Sequence, residues 1–135
     1  MLTPTLETFR LFLHILGAAI WVGGQFVLAG VVPGLRKIGP EATKAAANGF
    51  ARVAWPAFGL TFVTGVWNLL VIPTDLPAGY HATLGIKVLL VLVAAASAVA
   101  HSQSDKPAIK GATGAIGAVS AVVILFLGIS IGHLS

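Results

Sequence analysis

Apolar residues run almost unbroken through four long windows of the chain, separated by short stretches that contain proline, glycine and charge. The windows span roughly residues 6–32, 50–72, 80–100 and 112–134. Each supplies the ~20 apolar residues that an α-helix needs to cross a hydrocarbon core of about 30 Å. The pattern predicts an all-α, polytopic membrane protein. We expect a four-transmembrane-helix bundle that forms a single integral membrane domain over residues 1–135.

The connections between these windows carry an uneven distribution of basic residues. Three lie in the first loop, at Arg36, Lys37 and Lys44, and two in the third, at Lys106 and Lys110, whereas the second loop, "PTDLPAG", has none. Since cytoplasmic loops are enriched in Lys and Arg, loops one and three are expected to be cytoplasmic and both termini outside. We therefore predict a multi-pass protein of the inner (plasma) membrane.

Composition agrees with a lipid environment and narrows the chemistry. Hydrophobic residues make up 57% of the chain and charged residues 9%, and the mean hydropathy is +0.97, so the lipid bilayer is the expected partner. The net charge of +4 comes from bases that flank membrane spans, so no nucleic acid partner is expected. There is no cysteine, which excludes thiolate metal sites and disulfides.

Polar residues deep inside the spans are the candidates for function, because ionisable groups in hydrocarbon are costly and usually face a bundle interior. His14 and Trp21 share one face of the first helix, since their spacing follows the helical repeat. By a rise of ~1.5 Å per residue, His14 and Lys87 both lie about 12 to 14 Å from the outer boundary. Asn68 is expected nearer the outer surface, with His81 and His133 nearer still.

These residue types suit a metal or cofactor site. Neutral imidazole is a ligand for haem iron, copper or zinc, and a lysine in low dielectric is stabilised by an anion such as a haem propionate. His14, Lys87, Trp21 and Asn68 are therefore candidates to bind a cofactor whose metal is haem iron, copper or zinc, and copper would use the histidines at positions 14, 81 and 133.

Each candidate also has a structural alternative. His14 could instead hydrogen-bond a neighbouring helix, Lys87 could extend its long stem to the headgroups, and His81 and His133 could be solvated. Hydrolase and NTPase functions are excluded, because no nucleophile with a base and no phosphate-binding loop is present. Gly128 and Gly132 form a small-xxx-small pair that fits close packing within the bundle or a homodimer through Gly-rich helix faces.

Three segments together resemble a known family. They are "LHILGAAIWVGGQFVL", "FARVAWPAFGLTFVTGVWNLL" and "GYHATLGIKVLLVLVAAASAVAH". The chain is similar to the CopD-like (copper resistance D) membrane domain and to the related HemJ-type four-helix haem proteins. The matching positions cover about the first hundred residues: His14, Trp21, Gly23, Gly24, Arg52, Thr64, Gly65, Tyr80, Leu84 and Lys87.

The two sides of this resemblance imply different activities. The CopD side implies copper handling at the outer face, while the HemJ side implies haem b binding and porphyrinogen oxidation, with His14 and Lys87 as the functional positions. The chain departs from the longer CopD proteins as a lone four-helix unit without a methionine-rich copper motif. The favoured function is the binding of haem b, the handling of copper, or both, in redox chemistry or metal homeostasis. If the protein is an enzyme, we expect a haem-dependent oxidoreductase. The alternative is a cofactor-free permease or membrane-complex assembly subunit that acts as a homo-oligomer.

Overall fold

Residues 3–132, which a computed structural model describes, form four long helices and no strand. The helices are α1 (Leu6–Ile38), α2 (Pro40–Leu70), α3 (Ala78–Gln103) and α4 (Pro107–Gly132). All four are long and apolar enough to cross a membrane. The predicted all-α, polytopic fold class is confirmed.

The chain divides into two compact units, Met1–Ile72 and Pro73–Ser135. Each contains two helices in contact along their lengths, α1 with α2 in the first hairpin and α3 with α4 in the second hairpin. Contacts at two levels show that α1 and α2 are antiparallel, since Gly17 packs on Thr61 and Gly24 on Phe50. The same holds for α3 and α4, where His101 lies against Gly114 and Lys87 against Gly128.

The turn between α1 and α2 is a single residue, Gly39, with a φ of 149° that only glycine adopts without strain. Its N–H donates to the carbonyl of Leu35 at 3.1 Å, and Pro40 begins α2 with a φ that already suits a helix. The sequence predicts helix ends near residues 32 and 50, whereas the structure continues α1 past Pro33 and begins α2 at Pro40. Helical continuation is tolerated because Pro33 removes only one hydrogen bond, near the end of α1.

The start of α1 is fixed by a capping box between Thr5 and Thr8. The Thr5 hydroxyl accepts a hydrogen bond from the Thr8 N–H at 3.2 Å, and the Thr8 hydroxyl accepts one from the Thr5 N–H at 3.2 Å. These bonds pair N–H groups that a helix start otherwise leaves unpaired. Because α1 begins at Leu6, His14 lies about 12 Å along the helix at ~1.5 Å per residue.

Small residues allow the two helices of each hairpin to approach closely. The buried residues are mostly small, such as Ala54 and Ala57 in the first hairpin and Ala94 and Ala121 in the second. Small side chains are how membrane helices gain close contact without a hydrophobic driving force. Gly114, Gly117 and Gly128 face α3, which is packing within the hairpin, and the homodimer stays a prediction.

Candidate functional site

His14 is held by two hydrogen bonds that cross from α1 to α2. Its Nδ1 lies 3.0 Å from the carbonyl oxygen of Thr61 and 3.1 Å from the hydroxyl oxygen of Thr64. The ring is half-buried, and Thr64 is buried, with 3% of its surface exposed. The imidazole is therefore oriented by the neighbouring helix.

These bonds also define which nitrogen of His14 carries the proton. A carbonyl oxygen only accepts, so Nδ1–H must be the donor to Thr61. The Thr64 hydroxyl donates to the Leu60 carbonyl at 2.7 Å, which leaves its oxygen to accept from His14. In neutral imidazole this assignment places the lone pair on Nε2, the form in which histidine ligates metals.

Gly65 provides the space that brings His14 against α2. A methyl group at Gly65 would lie 3.3 Å from Cε1 of the His14 ring, which is tighter than an ordinary van der Waals contact. The Thr64–Gly65 pair therefore supplies both an acceptor for the ring and room for it. Sequence reasoning noted the pair as a motif, but it gave neither residue a role at His14.

Trp21 lies two turns along α1 from His14 and packs in an aromatic cluster with α2. Its ring centroid is 4.7 Å from that of Phe58 and 5.7 Å from that of Trp55. These tilted pairs lie within the range of favourable aromatic contacts. Gln25, on the next turn, donates to the Trp21 carbonyl at 3.1 Å, so its amide is engaged with its own helix.

Arg10 and Asn68 contribute buried polar atoms that have no hydrogen-bond partner. These atoms are Nε of Arg10 and Oδ1 of Asn68. The Arg10 side chain is 13% exposed and its Nη2 lies 3.7 Å from a carboxylate oxygen of Glu7. Asn68 is a predicted site residue, whereas Arg10 was missed. The signal that could have identified Arg10 is its position one helical turn before His14 on the same face.

Lys87 belongs to the second hairpin and its side chain is half-buried. Its Nζ lies close to α4, because a methyl group at Gly128 would be 3.2 Å away. Lys87 lies about 14 Å from the start of α3 at ~1.5 Å per residue. Gly128 therefore makes room for the end of a lysine side chain well inside a membrane span.

Two further histidines, His81 and His101, lie near the two ends of α3. His81 is exposed in the first turn of α3, with its ring edge-on to buried Tyr80 at a centroid distance of 5.7 Å. His101, at the other end of α3, lies with Nδ1 2.9 Å from the Lys110 carbonyl. His133 lies outside the described residues. The predicted copper ligation by His81 and His133 stays a prediction.

The predicted site residues thus fall in two groups that the structure describes separately. His14, Trp21 and Asn68 lie on the first hairpin, and Lys87 and His81 lie on the second. That His14 and Lys87 lie close together in one site stays a prediction. In residues 3–132 no group of three or more His, Cys, Asp or Glu side chains could hold a metal ion.

Comparison with known proteins places the chain in a family. The family model described as copper resistance protein D, CopD, matches residues 44–134, which is more than half of the chain. The chain belongs to the CopD family. No curated protein and no solved structure gives a significant match to it.

The CopD match and the sequence resemblance overlap from residue 44 to about residue 100 but have different ends. The match begins at residue 44 in α2 and includes α4, a helix that the sequence treats as a generic apolar span. His14 and Trp21 lie before the matched segment, while Thr64 and Lys87 lie within it. The CopD match therefore includes both residues that accept from His14, Thr61 and Thr64, but not His14 itself.

Proposed function

We propose that this CopD-family protein binds haem b through His14 and serves a redox role in the membrane. The observation that carries the proposal is the pair of hydrogen bonds from His14 Nδ1 to Thr61 and Thr64 of α2. Metal-ligating histidines usually donate their second N–H to a carbonyl or similar acceptor, which fixes the ring and its tautomer. His14 has this arrangement inside an apolar span.

The donor set of the described residues fits haem better than a closed copper site. Haem supplies four nitrogen ligands to its own iron, so one protein imidazole is enough to hold it. Copper without the macrocycle needs several protein ligands, and no cluster of three His, Cys, Asp or Glu side chains occurs in residues 3–132. Copper association, which the family name suggests, is tested by the same preparation.

Within this proposal the first hairpin supplies the ligand and part of the apolar wall. His14 would hold the iron, Thr61 and Thr64 keep its ring oriented, and Trp21 with Phe58 presents aromatic surface two turns along α1. When bound, haem b supplies one-electron chemistry. Because Nδ1–H donates to α2, the neutral imidazole would carry its ligating lone pair on Nε2.

The proposal includes the orientation predicted from the basic residues. Arg36 and Lys37 lie in the last turn of α1, beside the Gly39 turn, and the positive-inside rule places that turn in the cytoplasm. The opposite end of the first hairpin, from which His14 is about 12 Å distant along α1, then faces outward. Cysteine labelling of Glu41→Cys, an exposed position in the first turn of α2, in intact cells and in inverted vesicles tests this orientation.

The experiment for haem is the absorption spectrum of the protein purified in mild detergent from haem-replete cells, with metal analysis of the same sample. We expect a Soret band that shifts on reduction, about one iron per chain, and loss of the band in His14→Ala. His101→Ala is the matched control, because it removes an imidazole that bonds a helix end, and it should retain the band.

Two outcomes would contradict the proposal. A colourless, iron-free wild-type preparation would overturn haem binding and favour the cofactor-free permease or assembly subunit. A Soret band unchanged in His14→Ala would remove His14 as the ligand. Copper in place of iron would support a copper-handling role for this CopD protein instead.

A further inference from the structure

Three buried polar atoms of the first hairpin lack hydrogen-bond partners, and two of them lie on facing helices near the start of α1 and the end of α2. These two are Nε of Arg10 on α1 and Oδ1 of Asn68 on α2. An unmade hydrogen bond is costly for a buried group, and more so for a charged one in a membrane span. Both atoms therefore need a partner that the described residues do not provide.

The register of the first hairpin puts these two residues at one level. His14 bonds Thr61 and Thr64, and antiparallel helices advance in opposite directions along the chain. One turn from His14 toward the start of α1 is Arg10, and one turn from Thr64 toward the end of α2 is Asn68. Arg10 and Asn68 thus form the next layer of the same interface, about 6 Å from the layer of His14.

The positive charge of the Arg10 guanidinium is only partly balanced within the hairpin. Glu7 contacts Arg10 at 3.7 Å through Nη2 and is 70% exposed. Exposed ion pairs of this kind contribute little because water screens them. The Nε edge of the guanidinium, on the buried side, remains a donor that suits an anionic oxygen.

Asn68 can complement the same kind of group. Rotation of its amide by half a turn exchanges the positions of Oδ1 and Nδ2. Either orientation of the amide has the same shape, so hydrogen bonding decides between them. With Nδ2 turned inward, Asn68 donates to an anion that also accepts from Arg10. A planar carboxylate is the group that a guanidinium edge recognises best through paired donors.

We propose that Arg10 and Asn68 bind a carboxylate of the ligand that His14 holds, which for haem b is a propionate. This inference rests on the proposed function. It assigns the carboxylate to a layer one turn from His14 on the first hairpin, in place of Lys87 on the second. Arg10 is a binding residue here, and Asn68 assists it.

The test compares two porphyrins that differ only at the propionates. Wild-type protein freed of haem is titrated in detergent with ferric protoporphyrin IX and with its dimethyl ester, and binding is followed by the Soret absorbance. We expect the wild type to bind the diacid at least about tenfold more tightly, which corresponds to one good charge-assisted contact.

Three variants identify the residue responsible for that preference. Arg10→Gln should lose most of the preference for the diacid and leave the affinity for the diester unchanged, and Asn68→Leu should lose part of it. Arg36→Gln is the matched control, because Arg36 is an exposed arginine near the other end of α1, and it should keep the preference. Unchanged affinity for the diester shows that a variant is folded.

The outcomes separate this inference from the proposed function. If Arg10→Gln keeps the preference while Lys87→Gln loses it, the carboxylate is bound by Lys87 and the inference is wrong. An equal loss of affinity for both porphyrins in Arg10→Gln would likewise contradict it. If the wild type binds neither porphyrin, haem binding itself fails and the inference fails with it.

Discussion

The two hairpins have the same architecture but differ in how they satisfy their polar groups. In both hairpins threonine hydroxyls donate to carbonyls of their own helix, and one histidine bonds across to the other helix, His14 to α2 and His101 to α4. The difference is that three buried atoms of the first hairpin lack partners, on Arg10, Thr43 and Asn68. Across residues 3–132 these are the only buried side-chain nitrogen or oxygen atoms without one.

This difference indicates which hairpin is suited to hold a ligand. A membrane span that satisfies every polar group internally is complete without a ligand, because lipid offers no hydrogen bonds. A span that leaves buried polar side chains unpaired at one level gains stability when a ligand supplies the missing partners. The first hairpin is of the second kind, and the predictions below test that contrast.

The largest effect is expected from filling the closest contact of the first hairpin. A Cβ at Gly17 would overlap the backbone carbonyl of Ala57, so Gly17→Leu should lower the free energy of unfolding by about 3 kcal/mol or more. Gly23 has nothing within 4 Å, so Gly23→Leu is the control. Reversible unfolding in mixed micelles measures both, and equal effects would disprove close packing at Gly17.

Removal of the aromatic cluster should have the next largest effect. Trp21 contacts two rings of α2, and each aromatic pair is worth about 0.5–1.5 kcal/mol, so Trp21→Ala should cost about 2 kcal/mol in the same assay. Trp67, which lies on α2 outside this cluster, provides the matched Trp67→Ala control. A larger loss for Trp67 than for Trp21 would contradict the structure of the cluster.

The hydroxyl of Thr64 provides a direct comparison between the hairpins. Thr64→Val removes an acceptor of His14 and keeps the shape, so we expect a loss of about 1 kcal/mol and a changed reduction potential of any haem bound at His14. Thr83→Val removes a hydroxyl that bonds only its own helix and should leave both quantities unchanged. Identical results for the two variants would show that the bond to His14 has no energetic role.

The smallest effect is expected at the turn of the second hairpin. His101 bonds the Lys110 carbonyl at 2.9 Å and is exposed. His101→Ala should therefore cost about 0.5 kcal/mol and increase hydrogen exchange only in the first turns of α4. Faster exchange near Gly128, at the far end of the hairpin, would show that His101 stabilises more than the turn.

The sequence predicts the helices and part of the candidate site for clear physical reasons. Long apolar windows in lipid can only be helices when they lack the alternation of a barrel. The spacing of His14 and Trp21 predicts that they share one face of α1, and the structure shows that both contact α2. The Gly39 turn was not predicted, because Pro33 and Pro40 both read as breaks. The structure interrupts the helix only at Gly39, just before Pro40. The position of this break depends on the packing of α2 against α1, which the sequence does not specify.

The roles of Arg10 and Thr64 also could not be predicted from the sequence. Arg10 lies close enough to the start of α1 for its long side chain to reach water, so its burial follows only from the position of α2. Thr64 becomes an acceptor for His14 only in the observed register of the two helices. Both roles depend on contacts between helices, which a single helical face does not specify.

The lengths of the helices have a consequence for what the protein presents to the aqueous phase. α1 contains 33 residues and α2 contains 31, so at ~1.5 Å per residue the first hairpin extends about 15 to 20 Å beyond a 30 Å hydrocarbon layer. With Arg36, Lys37 and Lys44 beside the turn, excess length at that end would carry positive charge into the aqueous phase. Anionic lipid headgroups or an acidic protein surface would contact the basic ends of two helices at this point. A soluble protease would cleave this region poorly, because little of the chain there is extended.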